Sequence, residues 1–258
     1  MPEAAPRPAR VAVLGVPLAD CGRGLALAWI RGWLHGREPR AVFTVNPEFV
    51  MAARSDPEFA ETLANADLNL VDGAGLLAAA RLCGRQRPQR LPGVDLIPEL
   101  CRICAAGGHP VYLLGGRSGA AAQAAANLLR DHPGLTIAGT AEPDDPAERT
   151  AAICLAVRES GAHLLLVAFG TPRQEMWIST HMAKTGARVV VGVGGSFDLI
   201  SGRIRRAPRL VRRIGMEWLY RLVREPWRWR RQRVLPRFAL LALHQALRQR
   251  LGAGRAIQ

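Results

Sequence analysis

The chain has 258 residues, 49% hydrophobic and 22% charged, which excludes a disordered polyelectrolyte and allows one large α/β domain or two small ones. Its net charge of +14 is one-sided: residues 203–258 hold sixteen Arg against two acids, Glu217 and Glu225, while residues 1–202 balance nineteen basic and nineteen acidic side chains. No run approaches the roughly 20 apolar residues that span a bilayer, MPEAAPRPAR lacks a signal-peptide pattern, and five Cys without such a signal read as reduced cytoplasmic thiols.

Short apolar runs at 11–16, 41–45, 68–71, 111–116, 135–140, 163–170 and 188–195 read as strands. Several are continuously apolar, as strands covered on both faces are. Helical stretches at 20–35, 57–65, 73–83, 95–106, 118–131, 146–159 and 172–185 alternate with them. The alternation predicts a Rossmann-like, mostly parallel sheet with helices on both faces. Such a sheet binds ligands beyond the carboxyl ends of its strands. Cys101 and Cys104 fall within a predicted helix without a second Cys or His pair, so packing rather than metal binding is expected.

Polar residues and glycines collect at those strand ends. Thr44 and Asn46 supply neutral hydrogen bonds suited to a sugar, although Asn46 before Pro47 also fits a helix cap. Asp72 follows an apolar strand; it suits either a general base with a raised pKa or a helix cap. Arg90 can grip a phosphate with two prongs or stay a solvated charge, and Asp95 can cap the next helix. Gly115 and Gly116 open a turn into a helix whose N-terminus favours phosphate, with a spacing unlike the dinucleotide fingerprint. Gly170 and Gln174 end another strand, and Gln174 can both donate and accept. No D-x-D sequence and no His pair at metal spacing occurs, so Arg side chains and helix N-termini are expected to neutralise a diphosphate, with no metal or other cofactor.

Composition shifts near residue 203, dividing an α/β catalytic domain (1–202) from a basic helical appendage (203–258). On a continuous helical wheel Leu210, Val211, Ile214, Trp218 and Leu222 share one face, with Arg209, Arg212 and Arg213 away from it, Arg221 at its edge and Arg224 flanking it. That pattern describes a helix lying in an anionic membrane interface; docking of the apolar face on the body is the alternative. Nucleic acid is not expected as a partner.

Taken together, TVNPE (44–48), ADLNLVDGAGL (66–76), RLPGVDL (90–96), VYLLGGRSG (111–119), VAFGTPRQE (167–175), GVGGSFDLISG (192–202) and RAPRLVRRIGMEWLYRLVREPWR (206–228) resemble the WecG/TagA/CpsF glycosyltransferases, glycosyltransferase family 26. The resemblance runs over about residues 11–233. It implies an inverting transfer of N-acetylmannosamine, its uronic acid or a related hexose from a UDP-sugar to an undecaprenyl-diphosphate-linked acceptor in bacterial surface-polysaccharide synthesis. It implies catalysis by Asp72, a substrate pocket of Thr44, Asn46, Arg90 and Gln174, and diphosphate neutralisation by Arg221 and Arg224. Arg206 lies in the last matched block and is grouped with these substrate-binding arginines. Attachment to the inner membrane face and a homo-oligomer are implied as well. A dinucleotide-dependent oxidoreductase and a non-catalytic basic adaptor for membrane or nucleic acid are the alternatives.

Overall fold

A computed structural model describes residues 9–83 and 88–255, with side chains through residue 249. The first apolar run is not one strand. It folds as an antiparallel hairpin of β1 (Arg10–Val13) and β2 (Val16–Ala19). Leu14 and Gly15, both at positive φ, form a two-residue turn whose twist suits a hairpin.

The remaining strands are β3 (Arg40–Val45), β4 (Leu68–Val71), β5 (Val111–Gly115), β6 (Ile137–Ala141), β7 (Leu164–Ala168) and β8 (Val189–Gly192). They form one parallel sheet in the order β4-β3-β8-β7-β5-β6. Their side chains alternate between two cores, as the period of two requires. Phe43, Val45, Leu114, Leu165 and Val190 enter one core; Val42, Leu113, Leu166, Val189 and Val191 enter the other.

The first core is closed by α2 (Pro47–Ala53), α3 (Pro57–Asn65), α4 (Ala74–Cys83), α7 (Thr150–Glu159), α8 (Arg173–Thr185) and the hairpin. The second is closed by α1 (Arg23–His35), α5 (Gly93–Gly107), α6 (Ala120–Asp131) and α9 (Ser196–Ile200). Local chemistry sets the helix starts. Asn46 Oδ1 accepts from the N–H groups of Glu48 (2.8 Å) and Phe49 (3.3 Å), with Pro47 in the first turn of α2. Asp56 caps α3 through Phe59 N–H at 3.0 Å. Asp95 does not cap α5; Pro92 holds the cap position and Asp95 lies in the first turn. Cys101 and Cys104 are buried in α5, and burial pushes both thiols up to about 12, so they pack as inert apolar groups.

Beyond residue 202 the chain forms α10 (Arg209–Arg213), α11 (Glu217–Arg224), a 3₁₀ turn at Pro226–Arg228, α12 (Trp229–Gln232) and α13 (Leu235–Arg255). The continuous wheel of the sequence reading is broken at Gly215, whose φ of 78° ends α10. α13 folds back onto α2 and α4, burying Phe238, Ala242 and Ala246. Its Gln245 receives Leu14 N–H (2.7 Å) and donates to the Ala12 carbonyl (2.8 Å), pinning the hairpin turn. No helix of the described residues is long and apolar enough to cross a membrane.

Candidate active site

The carboxyl ends of the six parallel strands open into a cavity of about 1240 Å³. β5 leads through α6 to β6 on one side, while β7 leads through α8 to β8 on the other. Strand ends at such a reversal form a natural crevice. Thr44 and Asn46 line the cavity after β3, Asp72 and Gly73 after β4, Gly116 after β5, Gly170 and Gln174 after β7, and Gly194 and Gly195 after β8.

Asp72 is held by its backbone N–H, which donates to the Val45 carbonyl at 2.7 Å. Part of its surface faces the cavity and the rest is enclosed. Burial pushes its carboxyl up to about 6, opposed by Arg90 and reinforced by Glu217; the Gly73 N–H and Arg221 moderate the rise. A carboxylate with this affinity for protons is ionised near neutrality and still able to take one.

Thr44 Oγ1 donates to the Gly192 carbonyl at 3.1 Å, so its hydroxyl is oriented by β8. Asn46 uses Oδ1 to cap α2, and capping and cavity lining coexist in one side chain. Gln174 is fully buried: its Oε1 accepts from Gly194 N–H (3.0 Å) and its Nε2 donates to Glu175. Burial pushes the Glu175 carboxyl up to about 8, against the pull of the Gln174 hydrogen bond. Burial thus favours the protonated form of Glu175, and the Gly194 N–H fixes which way the Gln174 amide points.

The roof comes from the C-terminal segment. Glu217, Trp218, Arg221, Arg228 and Arg231 all line the cavity. Glu217, at the start of α11, is gripped by Arg90 from the body (3.0 Å) and by Arg206 (3.4 Å). Arg206 also makes a forked pair with Asp95, with Nη2 2.7 Å from Oδ2. Asp95 is held below the usual carboxylate range: burial raises it, but the hydrogen bond and charge of Arg206 outweigh that, with Arg90 adding to them. Arg231 reaches down to Glu48 of α2 at 2.8 Å. Arg221 is half-buried, its Nε has no hydrogen-bond partner, and burial with the neighbouring Arg228 lowers its pKa.

Four expectations change. Gly115 is absent from the cavity wall; an added Cβ would meet the Ala168 carbonyl oxygen at 2.7 Å, so this glycine permits strand packing. The α6 N-terminus is filled from within: Glu142 accepts from the N–H groups of Gly119 (2.7 Å) and Ala121 (2.6 Å), where a phosphate was expected. Arg206 sits behind the wall as a strut between Asp95 and Glu217. Arg224, at the end of α11, is exposed and outside the cavity, while Arg228 and Arg231, beyond the turn at Pro226, line it instead.

Sequence reasoning passed over Arg228, Arg231, Asp198 and Glu217. Glu217 carried a signal: it is one of two acids among sixteen Arg, and an isolated opposite charge is where an ion-pair anchor is expected. Asp198 lines the cavity, its carboxyl raised by burial and lowered by Arg203. Among the described residues, no cluster of three His, Cys, Asp or Glu is placed to hold a metal ion.

While Phe238, Ala242 and Ala246 pack on the body, other apolar side chains of the tail are turned to solvent. Leu210 is 71% exposed, Ile214 65%, Val223 72% and Trp227 69%. Leu240, Leu243 and Leu247 form a second exposed stripe on α13. Exposed apolar surface beside arginines is the mark of an interaction face.

The profile of the Glycosyl transferase WecG/TagA/CpsF family matches residues 11–252, which extends the resemblance through most of α13. An N-acetylglucosaminyldiphosphoundecaprenol N-acetyl-beta-D-mannosaminyltransferase of Bacillus subtilis (strain 168) is 30% identical over 204 residues, 79% of either chain. The enzyme of the same name from Bacillus spizizenii (strain ATCC 23059 / NRRL B-14472 / W23) is 33% identical over 202 residues, 78% of either chain.

Proposed function

The chain belongs to the WecG/TagA/CpsF glycosyltransferase family, and from that premise we propose that it transfers N-acetylmannosamine, or a closely related hexose, from a UDP-sugar to a sugar on polyprenyl diphosphate. The alternatives of a dinucleotide oxidoreductase and of a non-catalytic adaptor give way to this glycosyl-transfer reading. The observation that carries the mechanism is the single cavity in which Asp72, with its raised proton affinity, faces a roof of arginines.

Asp72 takes the proton of the acceptor hydroxyl as that oxygen attacks the anomeric carbon. The bond from that carbon to the diphosphate oxygen breaks, and UDP leaves with the electron pair. One displacement inverts the anomeric centre. Arg221, Arg228 and Arg231 supply positive charge where the diphosphate charge develops. Thr44 and Asn46 offer hydrogen bonds to sugar hydroxyls. Gln174, its amide tied up internally, shapes the wall and orients Gly194 N–H.

Arg90 acts mainly through Glu217: it locks the roof over Asp72. In this reading the segment from 203 onward is a membrane-associating appendage. Its exposed apolar residues enter the interface of an anionic bilayer on the cytoplasmic side, and its arginines face lipid headgroups. The enzyme is then peripheral to the membrane.

The test is transfer by the full chain from a panel of UDP-sugars to an N-acetylglucosaminyl-diphospholipid in anionic vesicles. UDP-N-acetylmannosamine or a close hexose analogue is expected to give a lipid-linked disaccharide. Absence of transfer from every donor would refute the reading.

A further inference from the structure

The cavity has a second half with different chemistry. From the strand ends it continues between α4 and α13, past Gly75, Ala78 and Leu82 on one helix and Ala239, Ala242 and Leu243 on the other. Gly75, Ala78 and Leu82 recur at helical spacing on one stripe of α4. They carry the arm about 10 Å along the helix, at roughly 1.5 Å per residue. Its inner end is set by Phe238, whose Cε1 stands 3.9 Å from where a Cβ on Gly75 would lie.

Gly75, Ala78 and Ala239 are small and exposed, so the gap between the helices stays open where larger side chains would close it. At the mouth stand Leu82 and Leu243, 43% and 52% exposed, next to the Leu240 and Leu247 stripe. α4 begins two residues after Asp72, so the arm starts beside the proposed base. Arg228 and Arg231 line the polar half at the junction of the two.

A molecule filling both halves carries a sugar, then a strongly anionic group, then an apolar chain, in that order. We propose that the arm between α4 and α13 holds the first isoprenoid units of the diphosphate-linked acceptor and threads the chain from the active site to the lipid-facing stripe of α13. The inference rests on the acceptor class named above and adds where its hydrocarbon lies. The arm then discriminates acceptors by their chain, while the polar half reads the sugars. The arrangement also explains why α13 packs against α4: together they make the wall of a channel that neither helix makes alone.

The test uses the full chain and farnesyl diphosphate, with inorganic diphosphate as the chainless control, in binding calorimetry without detergent. Burying several isoprenoid carbons predicts that the prenyl compound binds at least about tenfold tighter than diphosphate. Ala78→Phe and Ala239→Phe, both at exposed positions, fill the arm. Each is expected to melt at the wild-type temperature, to keep the affinity for inorganic diphosphate, and to bring the prenyl compound within about twofold of it. Equal affinities in the wild type, or a prenyl advantage retained in both variants, would overturn the proposal. A linear alkyl diphosphate of equal carbon number that binds as tightly, and is blocked equally, would also overturn the isoprenoid assignment. Failure of the parent reading shows separately: the wild type would then transfer no sugar to the lipid acceptor while still showing the prenyl advantage.

Discussion

Replacing Asp72 by Asn separates the two things its environment does. An unperturbed Asp titrates near 3.8, and in the fold the Asp72 carboxyl is pushed up to about 6, mainly by burial. Folding therefore takes up a proton between those values. The group's favourable contribution is fully present below the unfolded value and is lost as pH rises through about 6. At about 1.4 kcal/mol per unit, the ionised carboxylate costs the fold at most about 3 kcal/mol above pH 7. Solvent in the cavity reduces this to about 1–3 kcal/mol.

Asparagine keeps an acceptor for the Gly73 N–H and removes the charge. Asp72→Asn is thus expected to be more stable than the wild type at pH 8 and equal to it at about pH 3, below the unfolded value. A gain of 1 kcal/mol raises the melting temperature by about 2–4 °C in a chain of this size. Transfer should fall by about 10²–10⁴, the usual worth of a general base. In the wild type, kcat/KM should rise with pH through an apparent value near 6. The assays are thermal unfolding at the two pH values and initial rates across pH. A stability difference that does not change with pH, or a variant with near-normal turnover, would refute the reasoning.

The other predictions concern the wall, the roof and the membrane face. Glu175 is pushed up to about 8 by burial, so its stabilising protonated form is lost as pH rises through that value. The wild-type melting temperature should fall from about pH 5 to about pH 8 and level off at higher pH, and Glu175→Gln, an isostere of the protonated acid, should remove that part of the fall and be at least as stable as the wild type at pH 7. Gly215→Ala should detach the roof, because its new Cβ would lie 2.6 Å from the Ala74 Cβ at a φ of 78°; Ala74→Gly in the same chain should restore part of the lost activity, read as kcat. Glu217→Gln should loosen the roof by removing the partner of both Arg90 and Arg206, raising protease cleavage after residue 202 and lowering kcat by about tenfold or more. Leu210→Glu with Ile214→Glu should cut sedimentation with anionic vesicles by more than about tenfold, since each buried side chain is worth roughly 1.5–3 kcal/mol, while leaving thermal stability unchanged.

The sheet was legible because its strands are short, continuously apolar runs bounded by Gly and polar residues. The first run misled because VAVLGV has no polar break: the turn at Leu14-Gly15 asks a leucine to adopt positive φ, and Gln245, more than 230 positions away, supplies the partner for its N–H. A local pattern carries no trace of so distant a bond. Asp72 and Asn46 could be found since each directly follows a strand, and Thr44 since it lies at the carboxyl end of one. The roof could not be resolved residue by residue. With sixteen Arg in the tail, which ones point inward depends on the break at Gly215 and the turn at Pro226, and both shift the phase that a single wheel assumes. The Glu142 carboxylate at the α6 N-terminus was hidden for the same reason: its partners lie more than twenty residues earlier.

The most direct test of the account is the anomeric configuration of the product formed by the full chain from a UDP-N-acetylhexosamine and a short-chain N-acetylglucosaminyl-diphospholipid, read by proton NMR. A single displacement assisted by Asp72 predicts a configuration opposite to the donor's. Retention of the donor configuration would contradict it, because two displacements would then need a nucleophile on the enzyme that the account does not contain.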